Sequence, residues 1–189
     1  VRTFRDLSDF DEMIRDLESI AEKTYQRGLG VGFDNGPEMR ERLRVQTAKG
    51  WLRAFVLYLD DKPCAFWVGT MYQRTFCSDF MGYDPAYGKY SPGMCLIMRV
   101  IEDFCAATGG DKPQRIDFGF GDAQYKTVLA GSEWRESSVY LFAPTFKGLG
   151  LNLLRTPTAL VNRWAKDVLG KTSLLPKVKR IWRDRVMQR

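Results

Sequence analysis

The chain contains no histidine among its 189 residues. Ser-His-Asp and Cys-His machinery, H-E-x-x-H zinc sites and any imidazole proton shuttle are therefore excluded. The four cysteines, at 64, 77, 95 and 105, show no C-x-x-C spacing, and no metal site is expected from them. Chemistry here must run on carboxylates, phenols, amines and backbone amides. Asp79 lies in a strand-like run, "RTFCSDFMGYD", and is the first choice for a general base. Asp117, Tyr125 and Lys126 fall close together in "IDFGFGDAQYK", where an acid could give up a proton and a carboxylate and an amine could orient a substrate. The bland alternatives are a solvent-facing Asp79 and an internal Asp117–Lys126 ion pair that locks the loop between them. Asp84, which precedes Pro85, reads as a turn former.

A second constellation is suited to an anion. In "KYSPGM", Ser91 suits a helix N-cap, Pro92 the first helical position, and Gly93 leaves the backbone amides unobstructed. A helix N-terminus carries free N–H groups and about half a positive charge. Lys89, Tyr90, Ser91, Pro92, Gly93 and Met94 are the candidates to hold a phosphate there. The same residues would also simply start a helix well.

The elements that position these residues follow from periodicity. Phe10, Met13, Ile14, Leu17, Ile20 and Ala21 share one face of a helix whose start, Ser8 then Asp11, resembles a capping box. "QRGLGVGFDNGP" reads as a flexible connection in preference to a phosphate cradle, and Pro37 opens a second helix closed by Gly50. "WLRAFVLYLDD", "PCAFWVGTMYQ" and "RTFCSDFMGYD" form an antiparallel meander, with its first turn placed at Lys62-Pro63. A helix from Ser91 to Thr108 follows, with Met94, Ile97, Met98, Ile101, Phe104 and Cys105 expected on its buried face and Gly109-Gly110 ending it. "QRIDFGF" is then a strand reached by a helical crossover, hence parallel to the third strand of the meander. A short helix at 123–130 and a last strand, "SSVYLFAP", complete the body. A meander, a helix and then a parallel strand give a mixed α/β (α+β) sheet that splays.

Length and composition fit one domain with an appendage: the chain is 44% apolar and 28% charged, ample for a core. The net charge of +6 is unevenly distributed. From Thr145 to Arg189 there are 11 Lys or Arg against 2 Asp or Glu, and the first 144 residues hold 18 basic against 21 acidic side chains. The expected division is a body, 1–144, and a basic amphipathic helical extension, 145–189. The extension is read first as helix packing with a cationic rim, and second as contact with an anionic membrane. Nucleic-acid binding is not expected, since its Trp residues sit on apolar faces. With no apolar run near the roughly 18 residues of a membrane span and cysteines read as reduced core thiols, the expected location is cytoplasmic or peripheral to the inner membrane.

The stretches "GWLRAFVLYLDDKPCAFWVG", "GYDPAYGKYSPGMCLIMRVIEDF" and "IDFGFGDAQYK" resemble the GNAT superfamily of N-acetyltransferases. Within it they look like the cellulose-biosynthesis-associated branch, which is related to the Fem-type peptidoglycan transferases. That branch carries D-F-x-x-G-x-x-x-Y-K, matched here by Asp117, Phe118, Gly121, Tyr125 and Lys126. The resemblance implies a splayed sheet that binds acetyl-CoA or another acyl-CoA, with pyrophosphate at the Ser91-Pro92-Gly93 turn, and acyl transfer to an amine or hydroxyl of a small molecule or cell-envelope saccharide. The usual pyrophosphate loop, [RQ]-x-x-G-x-[GA], is missing; residues 87–93 occupy its slot. Branch members usually carry a second lobe ahead of this one, and the chain begins at Val1, so it is read as the C-terminal lobe of a longer protein. The alternatives are a Fem-like transferase using aminoacyl-tRNA and a non-catalytic, degenerate GNAT module for binding or membrane docking.

Overall fold

A computed structural model describes residues 1–28, 32–121, 123–134, 139–153, 155 and 157. Two compact units separate at 129/130. The first unit carries β1 (Arg2–Phe4), α1 (Phe10–Ala21), α2 (Tyr25–Gly28), α3 (Pro37–Ala48), β2 (Leu52–Leu59), β3 (Lys62–Tyr72) and β4 (Thr75–Tyr83). It continues through α4 (Pro92–Ala106), β5 (Arg115–Asp117) and α5 (Gln124–Leu129).

The sheet has the order β1-β2-β3-β4-β5. The first three pairings are antiparallel and β4–β5 is parallel. The meander and the parallel strand therefore form as the sequence predicts. Strand β1 is absent from the sequence reading, because three residues are too few to show alternation. Both hairpin turns use consecutive left-handed residues, Asp60-Asp61 and Gln73-Arg74. Such turns match the right-handed twist of the flanking strands. The first turn is thus Asp60-Asp61 rather than Lys62-Pro63. Pro63 instead lies in β3, beside a register irregularity at Leu57/Tyr58, where a residue without an N–H is tolerated.

Helix α1 buries the six predicted residues against one face of the sheet, together with Leu52, Ala54, Val56, Phe66 and Val68. Full burial of each large side chain is worth about 1.5–3 kcal/mol. Ser8 does not cap α1. It lies in a 3-10 turn, Leu7–Asp9, and Asp9 stands at the N-cap without a side-chain bond. The opposite face holds Phe55, Ala65, Trp67 and Phe76 under Leu96, Ile97, Val100 and Phe104 of α4. Here the expected phase was off by part of a turn. Leu96 and Val100 are buried, whereas Met94 and Met98 are 37% and 44% exposed and Cys105 is exposed. Nearly every position from Met94 to Ile101 is apolar, so two stripes sharing Ile97 and Phe104 fit the helical period equally well. Helix α4 ends at Ala106, ahead of a 3-10 turn over Gly109–Asp111. Of the four free thiols only Cys64 is buried, so core thiols are the exception here.

In the second unit, 146–153 is helical and the Arg155 guanidinium lies over the Tyr140 ring. Residues 139–143 carry no strand pairing, so the described part of "SSVYLFAP" is not the predicted strand. The other helices expected in the basic extension lie outside the described residues.

Candidate active site

Strand β4 has nine residues but pairs with β5 only over Thr75–Cys77, opposite Arg115–Asp117. From Ser78 to Tyr83 its outer edge is unpaired by β5. The two strands diverge there, and Gly119 begins the divergence in the left-handed region at φ +69°. A Cβ there would lie 3.5 Å from the Ser78 carbonyl oxygen, an ordinary contact, so it is the backbone conformation and not the space that favours glycine.

The divergence coincides with a β-bulge. Val68 pairs with Phe80 and Gly69 with Ser78, leaving Asp79 as the extra residue. Gly69 makes the bulge possible: a Cβ there would lie 2.4 Å from the Cys77 carbonyl oxygen and 2.5 Å from the Phe76 ring. The extra residue resets the alternation of β4. Asp79 therefore shares its face with Phe80 and Thr70, while Met81 moves to the α4 face. Simple alternation would have grouped Asp79 with Met81.

On the α1/α3 face, Asp79 Oδ2 accepts from Thr70 Oγ1 at 2.7 Å and Oδ1 from Arg42 at 2.8 Å. Gln46 Nε2 donates to the same Thr70 oxygen at 2.9 Å. The Asp79 side chain is only 19% exposed, so it is neither a solvent-facing residue nor a bare carboxylate. Cys77 stands close by. Burial pushes its thiol pKa up, and the charges of Asp117 and Asp79 push in the same direction. The glycine-rich connection anchors this face through buried Phe33, whose ring meets Phe66 at 6.1 Å and Phe80 at 6.0 Å.

The α4 face of the same divergence is aromatic. Phe118 stacks on buried Trp67 at 6.0 Å, and Tyr125 meets Phe118 edge-on at 5.7 Å. Trp67 Nε1 donates to Ser78 Oγ at 2.8 Å. Asp117 Oδ1 accepts from the Gly119 amide at 2.8 Å, and Lys126 Nζ donates to the carbonyls of Gly119 and Phe120 at 2.9 and 2.6 Å. Asp117 and Lys126 thus each hold the loop backbone, which departs from the direct Asp–Lys pair considered from the sequence.

At the end of β4, Asp84 caps a 3-10 helix over Pro85–Tyr90 through the Ala86 amide at 3.0 Å and pairs with Lys23 at 2.8 Å. Burial works to raise its pKa, but the bonds from Lys23 and Ala86 outweigh it, and the carboxyl lies below its ordinary value. Ser91 follows in a left-handed conformation, φ 50° and ψ 50°, and makes no side-chain cap bond, unlike the N-cap role its sequence position suggests. Residues before proline favour extended backbone, so this strain costs about 1–3 kcal/mol. Pro92 has no N–H and Cys95 N donates to Ser91 O at 3.1 Å, which leaves Gly93 and Met94 as the first-turn donors. A Cβ on Gly93 would meet nothing closer than the Tyr83 ring at 3.5 Å, so internal packing does not require glycine there. Lys89 Nζ lies 4.7 Å from the Tyr90 ring centre.

Residues 1–127 match the acetyltransferase (GNAT) domain family. The chain belongs to that family. Three solved structures share the fold of this GNAT domain. An aminoglycoside acetyltransferase from an uncultured soil metagenomic sample, in complex with sisomicin, superposes with TM-score 0.53 at 12% identity, over 75% of this chain and 94% of its own. A GNAT family acetyltransferase of Staphylococcus aureus gives 0.51 at 14% identity, over 74% and 96%. AAC(6')-Iy, in complex with the bisubstrate analog CoA-S-monomethyl-acetylneamine, gives 0.50 at 8% identity, over 76% and 97%. No curated protein sequence matches.

The acetyltransferases of this family use acyl-CoA, and the residues present suit one. A strand edge that β5 leaves unpaired, two first-turn amides and a glycine that packing does not demand would hold an extended, pyrophosphate-bearing molecule. Among the described residues, no group of three His, Cys, Asp or Glu is placed for a metal.

Signals for Thr70, Arg42, Gln46, Ser78 and Trp67 were nearly absent from the sequence. The isolated Gly69 inside a strand pattern was one cue, since such a glycine marks a bulge.

Proposed function

We propose that this GNAT domain transfers an acetyl or other acyl group from acyl-CoA to an amine or hydroxyl carried by a small molecule or cell-envelope saccharide. The observation that carries the reading is the bulge at Asp79, where the sheet opens between a polar face and an aromatic one, beside the free amides of α4. When bound, acyl-CoA supplies an acyl group already activated as a thioester. Lys89, Tyr90 and the turn from Ser91 to Met94 are assigned to its phosphates. Asp79, aimed by Thr70 and Arg42, accepts the proton shed by the acceptor. The Tyr125 phenol gives one up on the α4 face. Asp117 and Lys126 keep the loop between β5 and α5 in shape.

Two of the similar enzymes have aminoglycoside ligands, sisomicin and an acetylneamine conjugate, which supports an amine on a saccharide as acceptor. The sequence resemblance to the cellulose-associated branch supports exopolysaccharide or envelope synthesis as its setting. One observation favours a second reading, a non-catalytic binding module: the usual pyrophosphate loop is missing. Among the described residues no helix is long and apolar enough to cross a membrane. For the basic segment 145–189, peripheral contact with anionic lipid stands second to helix packing, and co-sedimentation with anionic vesicles checks it.

The test is calorimetric titration of acetyl-CoA and CoA into the wild-type chain and Gly93→Asp. Micromolar binding, abolished by the substitution while the melting temperature stays put, is the expected result. Absence of wild-type binding would sink the acyl-transfer reading and favour the binding module.

A further inference from the structure

Ser78 is the first β4 residue beyond the last β4–β5 pair, Cys77 with Asp117. Its Oγ accepts the indole N–H of Trp67 at 2.8 Å. An indole nitrogen is a donor only, so this bond uses one oxygen lone pair of the serine and leaves the hydroxyl proton free. Among the described residues no acceptor takes that proton. The partner that aims the hydroxyl is itself rigid. Trp67 is fully buried, stacked on Phe118 with 9° between the ring planes and in edge contact with Phe76 at 5.1 Å. The serine is half-buried, and beyond Cys77 the outer β4 edge has no strand partner among the described residues. The result is an unspent hydrogen-bond donor held at the apex of the opening.

We propose that Ser78 Oγ donates a hydrogen bond to the thioester end of a bound acyl-CoA, with Trp67 as the positioning residue that sets its direction. This rests on the acyl-CoA reading above and adds a side-chain donor to it. A donor fixed before the ligand arrives needs no reorganisation on binding, which is the condition under which such a bond favours developing negative charge on oxygen or sulfur. A serine present only for packing would need no such aim.

The test compares acetyl-CoA with desulfo-CoA, which lacks the sulfur and the acyl group but keeps the nucleotide and the pantetheine arm. Calorimetric affinities are measured for the wild-type chain, Ser78→Ala and Ser78→Thr, with circular dichroism and melting curves for each. Ser78→Ala is expected to weaken acetyl-CoA about 5-fold, the effect of one hydrogen bond, and to leave desulfo-CoA within about twofold. Ser78→Thr keeps the hydroxyl and is expected to restore most of the loss, and Ser78→Cys, whose thiol is only a weak donor, carries the test if the alanine variant does not fold. The Trp67 indole N–H resonance, assigned with Trp67→Phe, is expected to move on adding acetyl-CoA and far less with desulfo-CoA. An equal loss for both ligands, or no loss for either, overturns the role of Ser78 and leaves the acyl-CoA reading standing. Failure of the wild-type chain to bind both ligands overturns the two together.

Discussion

The two faces of the sheet differ most where β4 bulges. On the α1/α3 face a carboxylate, a hydroxyl, an amide and a guanidinium form a chain from Asp79 through Thr70 to Gln46, with Arg42 closing it from α3. On the α4 face the same strand sets Phe76 against Trp67, with Phe118 and Tyr125 following ring to ring. A continuous sheet would keep these environments apart. Three features breach the partition at one point: the extra residue, the glycine opposite it and the loss of the β5 partner. In the proposed reaction the proton acceptor, Asp79, works on one face and the proton donor, Tyr125, on the other, with the acyl-CoA between them.

The strongest way to break this contrast is at Gly69. Gly69→Ala drives a methyl group into the Cys77 carbonyl and the Phe76 ring, and is expected to cost about 3 kcal/mol in urea denaturation, together with loss of acetyl-CoA binding. A tolerated alanine would mean that the bulge is not pinned there. Next comes the polar face alone. Thr70→Val removes the hydroxyl that both Gln46 and Asp79 use, with an expected loss of about 1.5 kcal/mol and unchanged acetyl-CoA affinity in calorimetry.

Acid should loosen the polar face before the aromatic one. The folded-state pKa of Asp84 lies below its ordinary value of 3.8, so its contribution is complete above that value and fades as pH falls through the lower, folded-state pKa. Because Lys23 is half exposed, the effect is about 1 kcal/mol. Stability curves from pH 7 to about pH 2 should converge for wild type and Asp84→Asn at the acid end. Curves that stay parallel would show that the Lys23 pair contributes nothing. The smallest expected effect is that of Arg42→Ala, about 0.5 kcal/mol for a pair whose arginine is 48% exposed. Its use is to sharpen the assignment of Asp79, since the rate of acyl transfer should fall even where stability barely does.

Much of the frame was legible from periodicity. The buried stripe of α1, the meander and the parallel return of β5 each follow from a repeat of 3.6 or 2 residues and from connection length. What escaped were features set by a neighbour. The phase of α4 depends on Trp67 and Phe55 beneath it, because the helix is apolar on too many sides to choose for itself. The bulge depends on how Gly69 and Phe76 meet, so Asp79 was found by residue type while its partners, Thr70 and Arg42, were not. Ser91 shows the same limit: its type suggests a cap, yet at the end of the 3-10 helix it takes a left-handed conformation that the following proline disfavours.

The most direct measurement is amide hydrogen exchange by mass spectrometry with and without acetyl-CoA. If the opening beside β4 takes the acyl-CoA arm, protection should rise at residues 78–83 and at the first turn of α4, while β1 and β2 stay as they were. Saturating ligand that leaves 78–83 unchanged, or protects another region in their place, would contradict the assignment of the site.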